Sequence, residues 1–232
     1  MQFSHSREIW NDFPELAPGV LAVGEITATV DVEERTAGFF VQAEARLESH
    51  VEGELPEIQA WRRAYSKMGL KPTQYRCASE ALLRRFRQER ALPKIHPLVD
   101  LCNAVSMAFA VPVAAFDRAK IAGDLEVRYA DGSEVYESFS GDTEHPQPHE
   151  VIFADQAGMA HARRWTNRQS GLSAVREATT DVVIVGEALH ASAHEDMERL
   201  VETLAEEIDR VWATRARTGV LSSSAPRFDV DA

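Results

Sequence analysis

Apolar residues recur along this chain with two periods, and the switches between them outline its elements. Ile58, Trp61, Tyr65 and Met68 fall three or four apart and predict a helix over residues 54–68, stopped by Gly69 ahead of Lys71-Pro72. Ser79 with Leu82, Leu83 and Phe86 predicts a second helix, with Arg84, Arg85, Arg87 and Arg90 on its outer side, which reads as a solvated face. From Pro97, which suits a first helical turn, residues 98–110 are apolar on nearly every side and carry Asp100 as their one charge. Such a helix belongs in the interior. Its polar residues Asp100, Asn103 and Ser106, three apart, must therefore tie the core together or line a pocket. Met197, Leu200, Val201, Leu204, Ile208, Val211 and Trp212 predict a last, amphipathic helix.

The shorter period marks strands. The β-branched stretch 20–30 follows Pro18-Gly19, and the apolar runs 151–153 and 182–185 end near Asp155 and Gly186-Glu187. Alternation on both sides of Asp131-Gly132 predicts a β-hairpin over residues 125–139, because Asp-Gly supplies the positive φ of a tight turn. Residues 141–149, with Pro146 and Pro148, read as a loop. Strands and helices mix without regular βαβ alternation, so the expected class is α+β, a mixed sheet packed with helices. One domain is expected over residues 1–217, followed by a disordered Ser-rich tail over 218–232.

Composition narrows the function classes. With 232 residues and 44% hydrophobic positions the chain can bury a substantial core. Its net charge of -12 disfavours generic nucleic-acid binding, which depends on neutralising phosphates, although a local basic site could still receive one RNA end. No DNA partner is expected. Cys77 and Cys102 sit in apolar helical patterns and read as reduced, buried thiols. The first apolar stretch, Val20 to Val23, is far too short to span a bilayer, and no signal-peptide order is present, so a cytoplasmic protein without a membrane partner is expected.

The common catalytic signatures are absent: no Gly-rich phosphate loop, Gly-x-Ser-x-Gly, His-Glu-x-x-His or Cys-x-x-Cys. His145, His149, Glu150 and His161 lack zinc-ligand spacing, and neither metal nor cofactor is expected. Between His161 and Gly171, three arginines (Arg163, Arg164, Arg168) combine with Trp165, Asn167 and Gln169. That mixture suits phosphate contact and base stacking, or a surface loop whose arginines pair with carboxylates.

A wider pattern brings these pieces together. Asp100-x-x-Asn103 is followed by Pro112-Val-Ala-Ala-Phe116-Asp117, Ile121-x-Gly123, Leu125-x-Val127-Arg128, Gly132-x-Glu134, Val151-Ile-Phe-Ala-Asp155, Ser170-Gly171 and Val183-Ile-Val-Gly-Glu187. This series, over roughly residues 60 to 190, resembles the B3/B4 tRNA-editing domain of the phenylalanyl-tRNA synthetase beta subunit. Trp61-Arg62-Arg63, Leu92-Pro93 and Arg164-Trp165 look more like its free-standing members. The resemblance implies a cleft that hydrolyses the ester of a mischarged aminoacyl-tRNA with a positioned water, or a module that binds a tRNA end, amino acid or nucleotide without catalysis. It implies a tRNA partner, and the net charge of -12 makes weak, salt-sensitive binding the expectation. The candidate catalytic residues are Asn103, Glu150 and Arg168, and the candidate substrate contacts are Ser106, Asp117, Asp155, Arg164, Trp165, Asn167 and Gln169. For Asp117 a turn- or cap-forming role competes with the functional one. Two positions depart from the family pattern: Ala114 stands where synthetase members have a histidine, and Arg168 where they have a glutamate. Tyrosine selectivity therefore does not carry over, and a guanidinium at Arg168 favours an anionic substrate group.

Overall fold

The computed structural model describes residues 1–231. The chain opens with β1 (Gln2–His5), α1 (Arg7–Asp12) and β2 (Ala17–Val23), then enters four helices: α2 (Glu33–Ser49), α3 (Pro56–Lys67), α4 (Ala78–Glu89) and α5 (Pro97–Phe109). Strands follow: β3 (Val113–Asp117), β4 (Leu125–Tyr129), β5 (Tyr136–Glu137), β6 (Thr143–Glu144), β7 (Val151–Asp155), β8 (Ala160–Arg163), β9 (Arg168–Gln169) and β10 (Val182–Ala188). The last elements are α6 (Ala193–Trp212), β11 (Arg217–Val220) and β12 (Arg227–Asp229). Two main sheets result, ordered β12-β1-β4-β7-β8-β9 and β11-β2-β10-β3, with β5-β6 as a small third. Among the named strands of the described residues only β1 and β4 pair in parallel, beside an isolated parallel bridge between Val135 and Met159, so the class is α+β with a mixed sheet, as the order of elements suggests.

The four-stranded sheet divides two cores. Leu21, Val23, Val182 and Ile184 face α5 and α6, while Val20, Val183, Val185 and Phe116 face the six-stranded sheet and α3. Every residue of β10 is buried, as an apolar run covered on both faces requires. Phe116 meets Phe153 at 5.4 Å between the sheets. At Gly19 a Cβ would come within 2.5 Å of Met197 Sδ and Val201 Cγ2, so hydrogen there lets α6 lie close on the sheet.

The helices expected over 54–68, 79–86 and 98–110 correspond to α3, α4 and α5, and α5 is the buried one, with His96 Nδ1 accepting the Leu98 N–H at 3.1 Å as its cap. Three expectations are corrected. The strand expected over residues 20–30 is β2, Ala17–Val23, and residues 24–30 lie outside it. Residues 125–139 do not form a hairpin: β4 pairs with β1 and β7, and β5 pairs with β6. Gly132 does take a positive φ of 96°. Yet the buried Glu134 carboxylate collects the Asp131 and Gly132 N–H groups and the Arg128 guanidinium, so the turn is a capped corner that leads the chain away. Residues 218–231 are likewise not a disordered tail, and Ala232, the last residue of that expectation, lies outside the described residues. β11 pairs with β2 and β12 with β1, because Leu221, Phe228 and Val230 bury against the core beside a turn of serines. No helix among the described residues is long and apolar enough to cross a membrane.

Candidate functional site

The polar segment 161–171 folds as the β8–β9 hairpin, and its turn forms one wall of a small pocket. Arg164 and Trp165 both adopt positive φ, 47° and 56°, a conformation that costs a non-glycine residue about 1 kcal/mol or more. Surrounding contacts hold them there. The Trp165 backbone N–H donates to Val151 O at 2.7 Å, its indole N–H to Glu187 Oε1 at 2.9 Å, and its ring lies edge-on to Phe13 and Trp61 at 4.8 and 5.0 Å. Thr166 O accepts from Ala78 N at the start of α4, and Asn167 Nδ2 donates to Arg76 O at 2.7 Å.

Facing this turn are Pro112, Val113 and Ala114 at the start of β3, and Val185 and Glu187 on β10; with Trp165, Asn167, Arg168 and Gln169 they line a cavity of about 70 Å³ that Ala78, Phe153, Ala162 and Thr166 also border. That is about half the roughly 150 Å³ that encloses a benzene ring. As it stands, the space matches a short group with water rather than an enclosed aromatic ring. Gln169 is fixed by its Nε2 donating to Ala115 O at 2.8 Å. Arg168 is 43% exposed at its side chain and donates to Glu144 at 2.9 Å, with its guanidinium 5.3 Å from the Tyr136 ring. It sits at the rim of the pocket with its charge shared between solvent and one carboxylate.

Glu187 is the buried charge of this pocket, 1% exposed. Its Oε1 receives both the Trp165 indole and His5 Nε2, the latter at 2.6 Å, while Oε2 has no hydrogen-bond partner among the described residues. His5 is itself buried and comes from β1. Neither residue stood out in the sequence as a site residue. A carboxylate at the end of an otherwise apolar strand was the one signal for Glu187, and nothing local marks a histidine whose partner lies 182 positions away.

The other expected site residues are elsewhere. Asn103 does face a cavity, but a separate one of about 450 Å³ between α2 and residues 90–97, together with Phe40, Phe86, His96 and Asp100. Ser106 is buried and donates to Val111 O at 2.6 Å. Asp117 accepts the Ala119 N–H and the Thr179 hydroxyl. Asp155 accepts the N–H groups of Ala122, Ala157 and Met159 and lies 3.2 Å from His161 Nε2. Both aspartates are thus occupied in closing turns. Glu150 is clamped by Arg163 at 2.8 and 2.9 Å and accepts the Arg164 N–H. Burial works against its ionisation, but Arg163 outweighs this and holds the carboxyl below its ordinary range. It orders the hairpin base through the chain Glu150–Arg163–Glu144–Arg168. Arg164 stacks over Tyr75 at 4.8 Å.

For metals, Glu57, His190 and Asp196 bring ligand atoms within 4.8 Å of one another. His190 Nε2 bonds to Asp196 at 2.7 Å, and Arg46 and Arg199 already neutralise the two carboxylates. This cluster shares no residue with the pocket. Both cysteines are buried and pushed up to about 12 by that burial, which leaves them poor nucleophiles.

A family model described as the B3/4 domain matches residues 60–207. Curated relatives include the phenylalanine--tRNA ligase beta subunit of Haemophilus influenzae, 28% identical over 146 residues, which cover 62% of this chain and 18% of that subunit. The corresponding subunit of Mannheimia succiniciproducens is 35% identical over 91 residues, 39% of this chain and 11% of the subunit. The chain thus spans less than a fifth of the length of these relatives. Among solved structures, an N-terminal fragment of the phenylalanyl-tRNA synthetase beta subunit from Pyrococcus horikoshii superposes with a TM-score of 0.51 at 8% identity, covering 93% of this chain and 50% of that one. At that identity the likeness is one of fold.

Proposed function

Because the chain belongs to the B3/4 domain family, we propose that it is a trans-acting hydrolase of mischarged aminoacyl-tRNA, working at the pocket between the β8–β9 turn and the ends of β3 and β10. The observation that carries this reading is Glu187, a buried carboxylate with one oxygen free of partners, in a pocket rimmed by Arg168. A water lodged beside Glu187 attacks the ester carbonyl carbon, and the carboxylate takes up its proton. The oxyanion that develops is stabilised by the Arg168 guanidinium, and the bond to the ribose oxygen breaks as that oxygen regains a proton. The products are free amino acid and uncharged tRNA. No side-chain nucleophile is required.

The small cavity adds a specificity: the amino acid has a short side chain, since an aromatic ring exceeds the space. Ala114 and Arg168 replace the histidine and glutamate of the synthetase pattern, in keeping with a substrate other than tyrosyl-tRNA. The test is a panel of tRNAs charged with short, branched and aromatic amino acids, scored for ester loss with the wild-type protein and with Glu187→Gln. Loss confined to short side chains and abolished in the variant is the expected result. Ester loss that persists undiminished in Glu187→Gln removes this assignment.

A second reading is a module that binds a tRNA end without cleaving it. The engagement of Arg168 by Glu144 favours it, since a guanidinium already paired has less to offer a developing oxyanion. Saturable binding of aminoacyl-tRNA with no ester loss from any charged species distinguishes it.

A further inference from the structure

The charge of this chain is distributed very unevenly. Residues 61–94 hold ten Lys or Arg and two Asp or Glu, a local charge of +8 inside a chain whose net charge is -12. The rest of the molecule is correspondingly more acidic. Seven of those ten cations are paired: Arg84 and Arg87 with the buried Glu52, Arg90 with Glu44, Arg62 and Arg76 with the buried Glu80, Arg85 with Glu89, and Lys94 with Glu33. Arg63 and Lys71 are exposed and have no ion-pair partner among the described residues. Arg164, from the β8–β9 turn, likewise has no carboxylate partner there, and its guanidinium covers one side of the Tyr75 ring at 4.8 Å. The turn after α3 that carries Lys71 and Tyr75 is tied to the pocket wall, since Asn167 Nδ2 donates to Arg76 O and Ala78 N to Thr166 O.

We propose that this edge, with Lys71 and Arg164 as phosphate contacts and Tyr75 as a stacking platform, seats the backbone of RNA beside the pocket. The proposal rests on the hydrolytic reading for the identity of the RNA as tRNA. Its physical basis is charge complementarity over a short range: fields are screened within roughly 8 Å at physiological salt, so a local cationic edge attracts phosphate while the acidic remainder repels it. The combination of an aromatic face with arginine suits unpaired nucleotides, which offer both phosphate and a stackable base. An acidic protein surface offers no base to Tyr75.

The experiment measures anisotropy of labelled uncharged tRNA from about 50 to 200 mM KCl, a range over which phosphate contacts dominate affinity. The edge variant is Lys71→Gln with Arg164→Asn, asparagine being chosen because Arg164 has φ of 47° and asparagine tolerates that region. The control is Lys120→Gln with Arg215→Gln, which removes the same charge from exposed positions elsewhere. The edge variant is expected to weaken binding about tenfold or more and to flatten the plot of log Kd against log salt by about 1.5, the value for two lost contacts. The control should stay within about twofold of wild type. Tyr75→Leu should weaken binding about tenfold with its salt slope unchanged, the mark of lost stacking.

Equal weakening in edge and control variants overturns the proposal, as does wild-type protein that fails to bind tRNA at the lowest salt. Displacement of tRNA by poly-glutamate at matched charge also overturns it, because the edge would then be a surface for acidic proteins. An aminoacyl-adenosine ester lacking the remaining RNA separates the two readings. Its hydrolysis without edge-dependent tRNA binding removes the surface and leaves the chemistry, whereas edge-dependent binding with no ester cleaved leaves the surface and removes the chemistry.

Discussion

Arg168 and Glu187 lie on the same pocket, and burial separates what their replacement should do. Arg168 is a surface ion-pair partner of Glu144 with a side chain 43% exposed, so Arg168→Ala should change folding stability by about 1 kcal/mol or less. If it stabilises an oxyanion or a phosphate, the same substitution should lower kcat/KM about tenfold to a hundredfold, and Arg168→Lys should recover only part of that because the planar fork is lost. Denaturant unfolding and turnover measured on both variants check this; turnover that is unaffected removes Arg168 from the site. Glu187→Gln keeps the shape but removes a charged acceptor of two buried hydrogen bonds, a loss of about 1 to 3 kcal/mol in stability. The residue scale is also where the sequence was hardest to read. Trp165, Asn167, Arg168 and Gln169 were legible because one short polar segment carries them all. Glu150, Asp117 and Asp155 were not distinguishable from ligand-binding carboxylates, since a carboxylate satisfied by its own turn has the same letter as one that awaits a substrate. Glu187 and His5 meet only through the pairing of distant strands.

At the scale of elements, periodicity located α3, α4, α5 and α6 well, because an amphipathic or fully apolar helix declares its length locally. Strand partners were not local information. Asp131-Gly132 supplied the turn it promised, but the neighbours of β4 were already taken by β1 and β7, which the sequence between 125 and 139 does not encode. The tail misled for a related reason: a run of serines concealed three apolar anchors that find their partners at the opposite end of the chain. Two outcomes belong to this scale. Gly19→Ala should destabilise the protein by about 1 to 3 kcal/mol, as overpacking does, because the new Cβ would come within 2.5 Å of Cγ2 of the β-branched Val201. A urea midpoint unchanged in that variant contradicts the close approach. The β7–β8 pair carries His161, wholly buried, whose burial depresses its pKa against the opposing pull of Asp155. A folded-state value below the unfolded one of about 6.5 means that its contribution is complete above that pH and is lost as pH falls toward the folded value. His96, also lowered by burial, acts in the same direction. Urea midpoints should therefore decline from pH 7.5 to 5.5, and a flat profile runs against this account.

The whole molecule combines an acidic body with a basic segment that flanks the pocket, and its family places it among B3/4 domains while it spans only a small part of the synthetase subunits it matches. Affinity for tRNA should accordingly be weak and strongly salt-dependent, which a titration at several ionic strengths reads directly. On the proposed function the pocket cleaves an ester, and its volume limits the amino acid. The most direct measurement incubates purified wild-type protein and Glu187→Gln with tRNAs carrying a short and an aromatic amino acid and follows the remaining ester over time. The account predicts rapid loss of the short aminoacyl ester with wild type, little loss of the aromatic one, and a slowing of about a hundredfold or more in Glu187→Gln. Stable esters throughout, or equal cleavage of both by wild type and variant, would contradict it.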